Sequence, residues 1–195
     1  MSKVVIAGDA SGTGTFTISA PNGNTDRTVV LPDEAGTIIT TAGVPASAMP
    51  AGSVLQVVQG STSVQVQTFS TSFIDTGVSL SITPTSASSK ILVIVSQQVT
   101  QRSNGTGAYY VTAGLKLLRN STDLFTNNAA AVLRSYVDNG TAAAGGLMSV
   151  TYLDSPNTTS STTYKTQFRT TVGTANVYAQ DGNTPSTITL MEIAA

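Results

Sequence analysis

The segment from residue 12 to residue 40 has the pattern of β-strands but too few apolar residues to fold alone. Phe16 and Ile18 alternate with threonines, and two short apolar runs follow at 29–31 and 38–39, separated by turn-forming Pro, Asn, Asp and Gly. A piece below about 40 residues rarely folds without disulfides, metal or oligomerisation. The chain has no cysteine and no histidine, which excludes disulfides and the usual zinc ligands. The segment is therefore expected to associate with other chains.

Composition favours β structure along the whole chain. Serine and threonine make up more than a quarter of the 195 residues, whereas glutamate occurs only at positions 34 and 192. Threonine and valine favour strands, and the scarcity of Glu, Lys and Leu leaves little helix-forming material. We therefore predict an all-β protein.

Several phrases of the sequence carry a resemblance to one class of protein. GTGTFTISAP (12–21) and RTVVLPDEAGTIIT (27–40) resemble the N-terminal segments of phage fibre and other virion appendage proteins, in which such repeats form intertwined trimeric β structures. MPAGSVLQVVQG (49–60), the stretch 71–97 and STITLMEIAA (186–195) resemble the distal domain of the same group. The resemblance implies a homotrimer of the virion, whose N-terminal segment binds capsid or tail proteins, and it transfers no catalytic residue.

The chain divides into three parts in this interpretation. Residues 1–42 form the intertwined docking or shaft segment, the proline-containing stretch 43–52 is a linker, and 53–195 form a jelly-roll-like β-sandwich head. Turn signals every 8 to 12 residues predict about eight to ten strands in the head. Low charge favours a trimer, because packing subunits about an axis covers sheet edges that charged residues would otherwise protect.

Particular strands can be predicted from their patterns. Val78, Leu80 and Ile82 alternate with polar residues, which indicates a strand with one buried face. The run Ile91–Val95 is apolar on both faces and predicts a central strand covered from both sides; 147–153 and 188–193 have the same character. In segment 113–125 three leucines could share a helical face, but the turn formers in the middle favour a hairpin.

Charge and hydropathy exclude several partners. The formal net charge is −1, only 10% of residues are charged, and no basic cluster occurs, so neither nucleic acid nor an anionic membrane surface is an expected partner. The longest apolar run has five residues, far below the roughly 18 of a membrane span. The N-terminus lacks an adequate apolar core for a signal peptide. Synthesis in the host cytoplasm without secretion or membrane insertion is expected.

Enzyme chemistry has little support in the sequence. Without His or Cys, Ser-His-Asp and Cys-His arrangements are impossible, and the motifs of dinucleotide and calcium sites are incomplete, so no cofactor or metal is expected. A glycosidase needs only two carboxylates. The candidates sit beside turn residues and are expected to accept local backbone hydrogen bonds; they are Asp75, Asp123, Asp138, Asp154 and Asp181.

Loops that combine tyrosine with Asp, Asn and Gly are candidate glycan-binding sites. A tyrosine ring can stack on the flat face of a sugar while carboxylate and amide groups fix its orientation. Ordinary turns between strands have the same composition. The candidate contacts are Tyr109, Tyr110, Tyr136, Asp138, Asn139, Tyr178 and Asp181.

The leading hypothesis is a non-enzymatic structural protein of a phage virion. It has two versions: a short tail-associated fibre that contacts host surface polysaccharide, and a head fibre or capsid decoration protein. The alternatives are a soluble carbohydrate-binding module, which would be a monomer, and a polysaccharide depolymerase, which would lose activity when one Asp is mutated.

Overall fold

The structure is a computed structural model in which the chain divides into two units, Met1–Ile38 and Ile39–Ala195. It describes residues 11–13, 23, 48–103, 109–127, 133–137, 142–173 and 175–195. The predicted intertwined strands of residues 1–42 and the domain boundary at 42 lie outside these residues, so both stay predictions. All strands described below belong to the second unit.

Within this unit, the described residues form eleven strands and no α-helix, as the composition predicts. The strands are β1 (Val54–Thr62), β2 (Val66–Thr68), β3 (Ile74–Ile82), β4 (Lys90–Ser103), β5 (Tyr109–Arg119), β6 (Thr122–Asn127), β7 (Leu133–Val137), β8 (Ala142–Asp154), β9 (Thr162–Thr170), β10 (Ala175–Ala179) and β11 (Ser186–Ile193).

Two antiparallel sheets, each four strands wide, share these elements. Sheet A has β4 at its centre, with β8 along one side and β11 and β10 end to end along the other; β1 and β2 pair with the outer sides of β11 and β10. Sheet B has the order β3-β9-β5, and β6 and β7 share the far side of β5. Every pairing is antiparallel.

The connections cross repeatedly between the two sheets. From β2 the chain passes to β3 in sheet B, to β4 in sheet A, to β5–β7 in B, to β8 in A, to β9 in B and to β10 in A. This alternation is compatible with a jelly-roll-like fold. The predicted all-β sandwich is confirmed by the two antiparallel sheets, and the final strand, β11, lies in the interior of sheet A.

The core lies between the inner faces of the sheets. Alternating residues of β3, β4, β5, β9 and β11 are fully or almost fully buried, including Val78, Val93, Leu115, Phe168 and Leu190. Full burial of such a side chain contributes about 1.5–3 kcal/mol. The period-2 pattern of the sequence thus marks the inward face of each strand.

The predicted hairpin of 113–125 is confirmed, because β5 and β6 pair through a tight turn at Asn120, which has φ 52°. The strand predicted from Val78, Leu80 and Ile82 is also confirmed. It belongs to a longer strand, β3, which begins at Ile74 and contains a bulge. Gly77 absorbs the bulge at φ 87°, a conformation that glycine adopts without steric cost.

The prediction that strands 91–95, 147–153 and 188–193 are covered on both sides is wrong for the described residues, and Met191 of β11 is only half-buried on the outer face. β4 is central, but its Leu92 and Ile94 are only half-buried on the outer face of sheet A. β8 pairs with β4 alone and is an edge strand, and its Leu147 and Leu153 are 67% and 52% exposed. Apolar residues on both faces of a strand do not by themselves show that both faces are buried.

Candidate functional site

Two of the predicted contact residues meet on the outer face of sheet A. The Tyr178 ring, on β10, lies under the Arg102 guanidinium at 4.8 Å from the ring centroid, and Arg102 Nη2 pairs with Asp181 Oδ2 at 2.7 Å. Arg102 keeps about half of its side chain exposed, whereas the Asp181 side chain is 15% exposed. We call these three residues the Tyr178 platform.

The platform is bordered by amides on one side and by small residues on the other. Gln67 Nε2 donates to Asn176 Oδ1 at 2.8 Å, beside Tyr178 in the β2–β10 pairing. On the other side, Thr100 is opposite Gly145 of β8. A Cβ at Gly145 would lie 2.7 Å from Thr100 Oγ1, so glycine is what allows this close approach.

Asp181 owes its position to a sharp turn after β10. Gln180 has left-handed backbone geometry (φ 54°), and the short 3-10 turn Asp181–Asn183 follows it. The Asp181 backbone N–H donates to Gln98 Oε1 at 2.7 Å, and the Gly182 N–H donates to Gln65 Oε1 at 3.1 Å. Two glutamine side chains thus fix the turn that carries the carboxylate.

A buried polar network supports this turn from inside the sandwich. Gln97 of β4 accepts from Thr166 Oγ1 at 2.9 Å and donates to Ser186 Oγ at 3.0 Å. The hydrogen-bond partners of the Gln180 amide fix its orientation. Its nitrogen donates to the carbonyl oxygens of Thr76 at 3.0 Å and Val64 at 3.1 Å, and its oxygen accepts from Gln97 Nε2 at 2.8 Å. Satisfied networks of this kind rigidify the elements they join.

The other predicted contacts do not join the platform. Tyr109 and Tyr110 of β5 and Tyr136 of β7 belong to sheet B, where Tyr110 is directly opposite Tyr136 and Tyr136 is 55% exposed. Asp138 and Asn139 lie outside the described residues. A glycan-binding role for any of the seven residues stays a prediction.

Arg102 was missed by sequence reasoning. The apolar run of β4 ends at Val95, but the strand continues through polar residues to Ser103. Extending the period-2 alternation from Leu92 would have placed Arg102 on the outer face, next to the strand that carries Tyr178. The neighbour relation itself depends on the β4–β10 pairing, which no local pattern reveals.

The carboxylates expected to bind their local backbone instead bind side chains from distant strands. Asp154 accepts from Arg119 Nη1 with both oxygens at 2.9 Å and from the Tyr164 hydroxyl at 2.7 Å. Burial, together with this hydrogen bond, raises the pKa of Tyr164. Asp181 likewise pairs with Arg102 rather than with the turn. The expectation of local hydrogen bonds is therefore wrong for both.

Two further carboxylates are held in the ionised form. Burial opposes ionisation of Asp75, but hydrogen bonds from Gln167 and Lys165 outweigh it and lower its pKa. Burial also opposes ionisation of Glu192, and donors from Gln56 and Thr85 outweigh it, so its pKa is lowered too. Neither group matches the raised pKa of a general acid.

Other site types are not found in the part of the chain that the structure describes. No group of three or more Asp, Glu, His or Cys residues there converges as a metal site. An open groove of about 430 Å³ runs beside Asp75 and Lys165, but these two charges pair with each other at 2.9 Å. None of the described helical turns has the length and hydropathy to cross a membrane.

Comparisons with known proteins give only distant structural likenesses. No family model matches the sequence, and no curated protein matches it. T=1 particles derived from infectious bursal virus are similar over 81% of this chain and 41% of theirs, at 15% identity and a TM-score of 0.32. The structure of the infectious bursal disease virus Gt strain is similar over 81% of this chain and 43% of its own, at 15% identity and a TM-score of 0.31. The VP2 subviral particle of infectious bursal disease virus is similar over 73% of this chain and 39% of its own, at 15% identity and a TM-score of 0.29. The chain spans less than half the length of each of these proteins.

Proposed function

We propose that this chain is a non-enzymatic structural protein of a phage virion, a homotrimeric short fibre or decoration protein. Residues 1–42 attach it to capsid or tail proteins, and the jelly roll is the displayed head. The observation that carries the proposal is the pairing of a jelly-roll sandwich with an N-terminal segment whose LPDEAGTIIT motif resembles those of intertwined virion trimers.

The state of the carboxylates supports a structural role. Asp154 and Asp181 are engaged by arginines, and Asp75 and Glu192 have lowered pKa values. A glycoside hydrolase needs one carboxylic acid that stays protonated near its working pH. These four groups act instead as anchors between strands or between a strand and a loop.

The Tyr178 platform favours adhesion to host-surface glycans as the task of the head. It offers an aromatic ring, a cation and side-chain amides on the strands of a sheet, together with a carboxylate on the anchored turn after β10. One such site binds weakly, but three per trimer and many trimers per particle give avidity. The same platform would serve a monomeric carbohydrate-binding module, so the oligomeric state separates these two functions.

The test of the virion role is gold-antibody labelling of purified phage particles, viewed by electron microscopy, combined with the mass of the purified chain by light scattering. We expect label on the particle and a mass three times the 19.9 kDa of one chain. Label on the capsid identifies a decoration protein or head fibre, and label on the tail identifies a host-contact fibre. Unlabelled particles together with a monomeric chain would overturn the proposal.

The adhesion role is tested by Tyr178→Ala, with Tyr136→Ala as the matched control on the other sheet. Tyr178→Ala should lower binding to host cells about tenfold or more, since aromatic contacts contribute about 1–3 kcal/mol, while the oligomer mass is unchanged. Tyr136→Ala should bind like the parent. The reverse pattern would place adhesion on sheet B, and release of reducing ends from host polysaccharide would indicate a depolymerase.

A further inference from the structure

An apolar row crosses the whole outer face of sheet A. Register places Val57 of β1 opposite Met191 of β11, Met191 opposite Leu92 of β4, and Leu92 opposite Leu153 of β8. Val57 and Leu153 are 53% and 52% exposed, and the two central residues are half-buried. These four residues are called the apolar row below. Apolar side chains that are contiguous across four strands mark interaction surfaces more often than scattered ones do.

The rows on one side of the apolar row are also free of charge, and the row on the other side contains Lys90 at the end of β4. The row through Ile94 contains Gln59, Thr189 and Thr151, and the next contains only serines and a threonine. The strands of sheet A carry charge on this face only at the two ends of β4, at Lys90 and Arg102. Asp154 and Glu192 are buried.

The outer face of sheet B differs in composition. Lys165 pairs there with Asp75 at 2.9 Å and Lys116 with Asp123 at 2.7 Å. Phe73 is covered by two cations, Lys116 at 4.6 Å and Arg169 at 4.9 Å from its ring centroid. The charges on that face pair with each other, as is typical of a sheet face exposed to water.

The edges of the two sheets show the same contrast. On sheet B, edge strand β3 carries a bulge and Asp75, and edge strand β6 is six residues long with Asp123 and a register shift. Bulges, shortness and charge are the means by which proteins protect an open edge. On sheet A, β8 runs for 13 residues with no charge before its buried terminal Asp154, and β1 has no charge in nine residues, with a register shift between Val54 and Gln56.

We infer that copies of this chain associate through the apolar half of the outer face of sheet A, bounded by β1 and β8. The occupant is a second copy because the same uncharged surface on several copies can converge about an axis without placing like charges opposite each other. The inference rests on the proposed trimer and assigns its contact surface.

The size of the apolar half matches part of a standard interface. Four strands about 4.8 Å apart and about seven residues at about 3.4 Å each give it about 19 by 24 Å, on the order of 450 Å². A stable interface of standard size buries about 800 Å² per partner, so the apolar half supplies a little over half of one. The Tyr178 platform occupies the opposite end of the same sheet, so contact along the apolar row leaves the platform accessible.

The test is the double variant Val57→Lys/Leu153→Lys in the full chain, with Phe125→Lys as the control. Phe125 is a 38% exposed apolar residue on β6 of sheet B. We expect the double variant to lose the trimer mass in light scattering while its far-UV circular dichroism keeps the β signal, and the control to remain a trimer. The lysines would place like charges across a desolvated contact.

The possible outcomes separate this inference from the proposed function. A parent chain that is trimeric together with a double variant that is equally trimeric overturns the assigned surface and leaves the trimer intact. A parent that is monomeric at every concentration overturns the trimer and the surface together. If the lysine variant does not fold, Val57→Ser/Leu153→Ser decides the matter: a raised dissociation concentration supports the assigned surface, and an unchanged one contradicts it.

Discussion

At the scale of single residues, the few charges of this chain tie distant strands together. Asp154 ends β8 in sheet A, yet its two partners come from sheet B: Arg119 from β5 and the Tyr164 hydroxyl from β9. Glu192 joins β11 to Gln56 of β1 and to the loop at Thr85. A chain with only 10% charged residues uses them where the sheets must be held in one arrangement.

Asp154→Ala should lower the free energy of unfolding by about 3 kcal/mol, because it leaves a buried hydroxyl and a partly buried guanidinium without their acceptor. Chemical denaturation measures the change. Asp123→Ala is the control, since its pair with Lys116 is half-exposed and should contribute less than about 1 kcal/mol. Equal losses in the two variants would contradict the role given to Asp154.

Glu192 should make stability depend on acid. Its pKa is lowered in the folded chain, so the stabilisation is present above the ordinary value near 4.5 and is lost as the pH falls through the lower folded value. Glu192→Gln should therefore flatten the decline of unfolding free energy below pH 5. Denaturation curves at several pH values test this, and parallel curves for the parent and the variant would exclude it.

At the scale of the elements, backbone conformation decides what the strands can become. β3 would be two strands without the bulge at Gly77, and the turn into the Tyr178 platform depends on the left-handed Gln180. A left-handed backbone conformation is energetically unfavourable for most non-glycine residues. Such conformations therefore occur where the fold requires a local reversal or twist.

Gly77→Ala should cost about 1–2 kcal/mol of unfolding free energy, because alanine is strained at φ 87° although it has space there. Gly173→Ala is the matched control: its Cβ would meet nothing within 4 Å and its φ is not in the left-handed region. Alanine at 173 should be neutral or slightly stabilising, by about 0.4–1 kcal/mol. Thermal unfolding of both variants distinguishes strain from loss of a glycine as such.

Sequence patterns predicted where the strands lie in the chain better than they predicted which strands pair. Alternation at Val78, Leu80 and Ile82 and the turn formers after Arg119 act locally, so they predicted β3 and the β5–β6 hairpin correctly. The edge position of β8 and the meeting of Arg102 with Tyr178 depend on pairings between residues roughly 40 or more positions apart. A local pattern does not show which strands will pair, so the apolar stretch that ends at Leu153 was predicted to be covered on both faces of its sheet.

At the scale of the whole molecule, the two sheets of the jelly roll have different surfaces. Sheet B presents paired charges, and sheet A presents the apolar row at one end and the Tyr178 platform at the other. The proposed trimer uses this difference, because each subunit then turns the apolar half of sheet A toward its neighbours.

The proposed trimer should be insensitive to salt. Raising NaCl from 0.1 to 1 M shortens the screening length from about 10 to about 3 Å, which weakens ion pairs but not apolar contacts. Light scattering should therefore give the same mass at both salt concentrations. Dissociation in 1 M NaCl would mean that charged residues, and not the apolar row, hold the subunits.

The break between β10 and β11 has a consequence for substitutions in sheet A. β4 spans 14 residues and pairs with both strands. Between the two pairings, Gln98 of β4 is bound on both backbone groups: its carbonyl oxygen accepts from the Gln180 N–H at 3.3 Å, and its N–H donates to Ser186 Oγ at 2.9 Å. We therefore expect outer-face substitutions in β10 to leave the register of β11 unchanged. In the proposed adhesion role, such substitutions would alter the platform and leave the apolar row as it is.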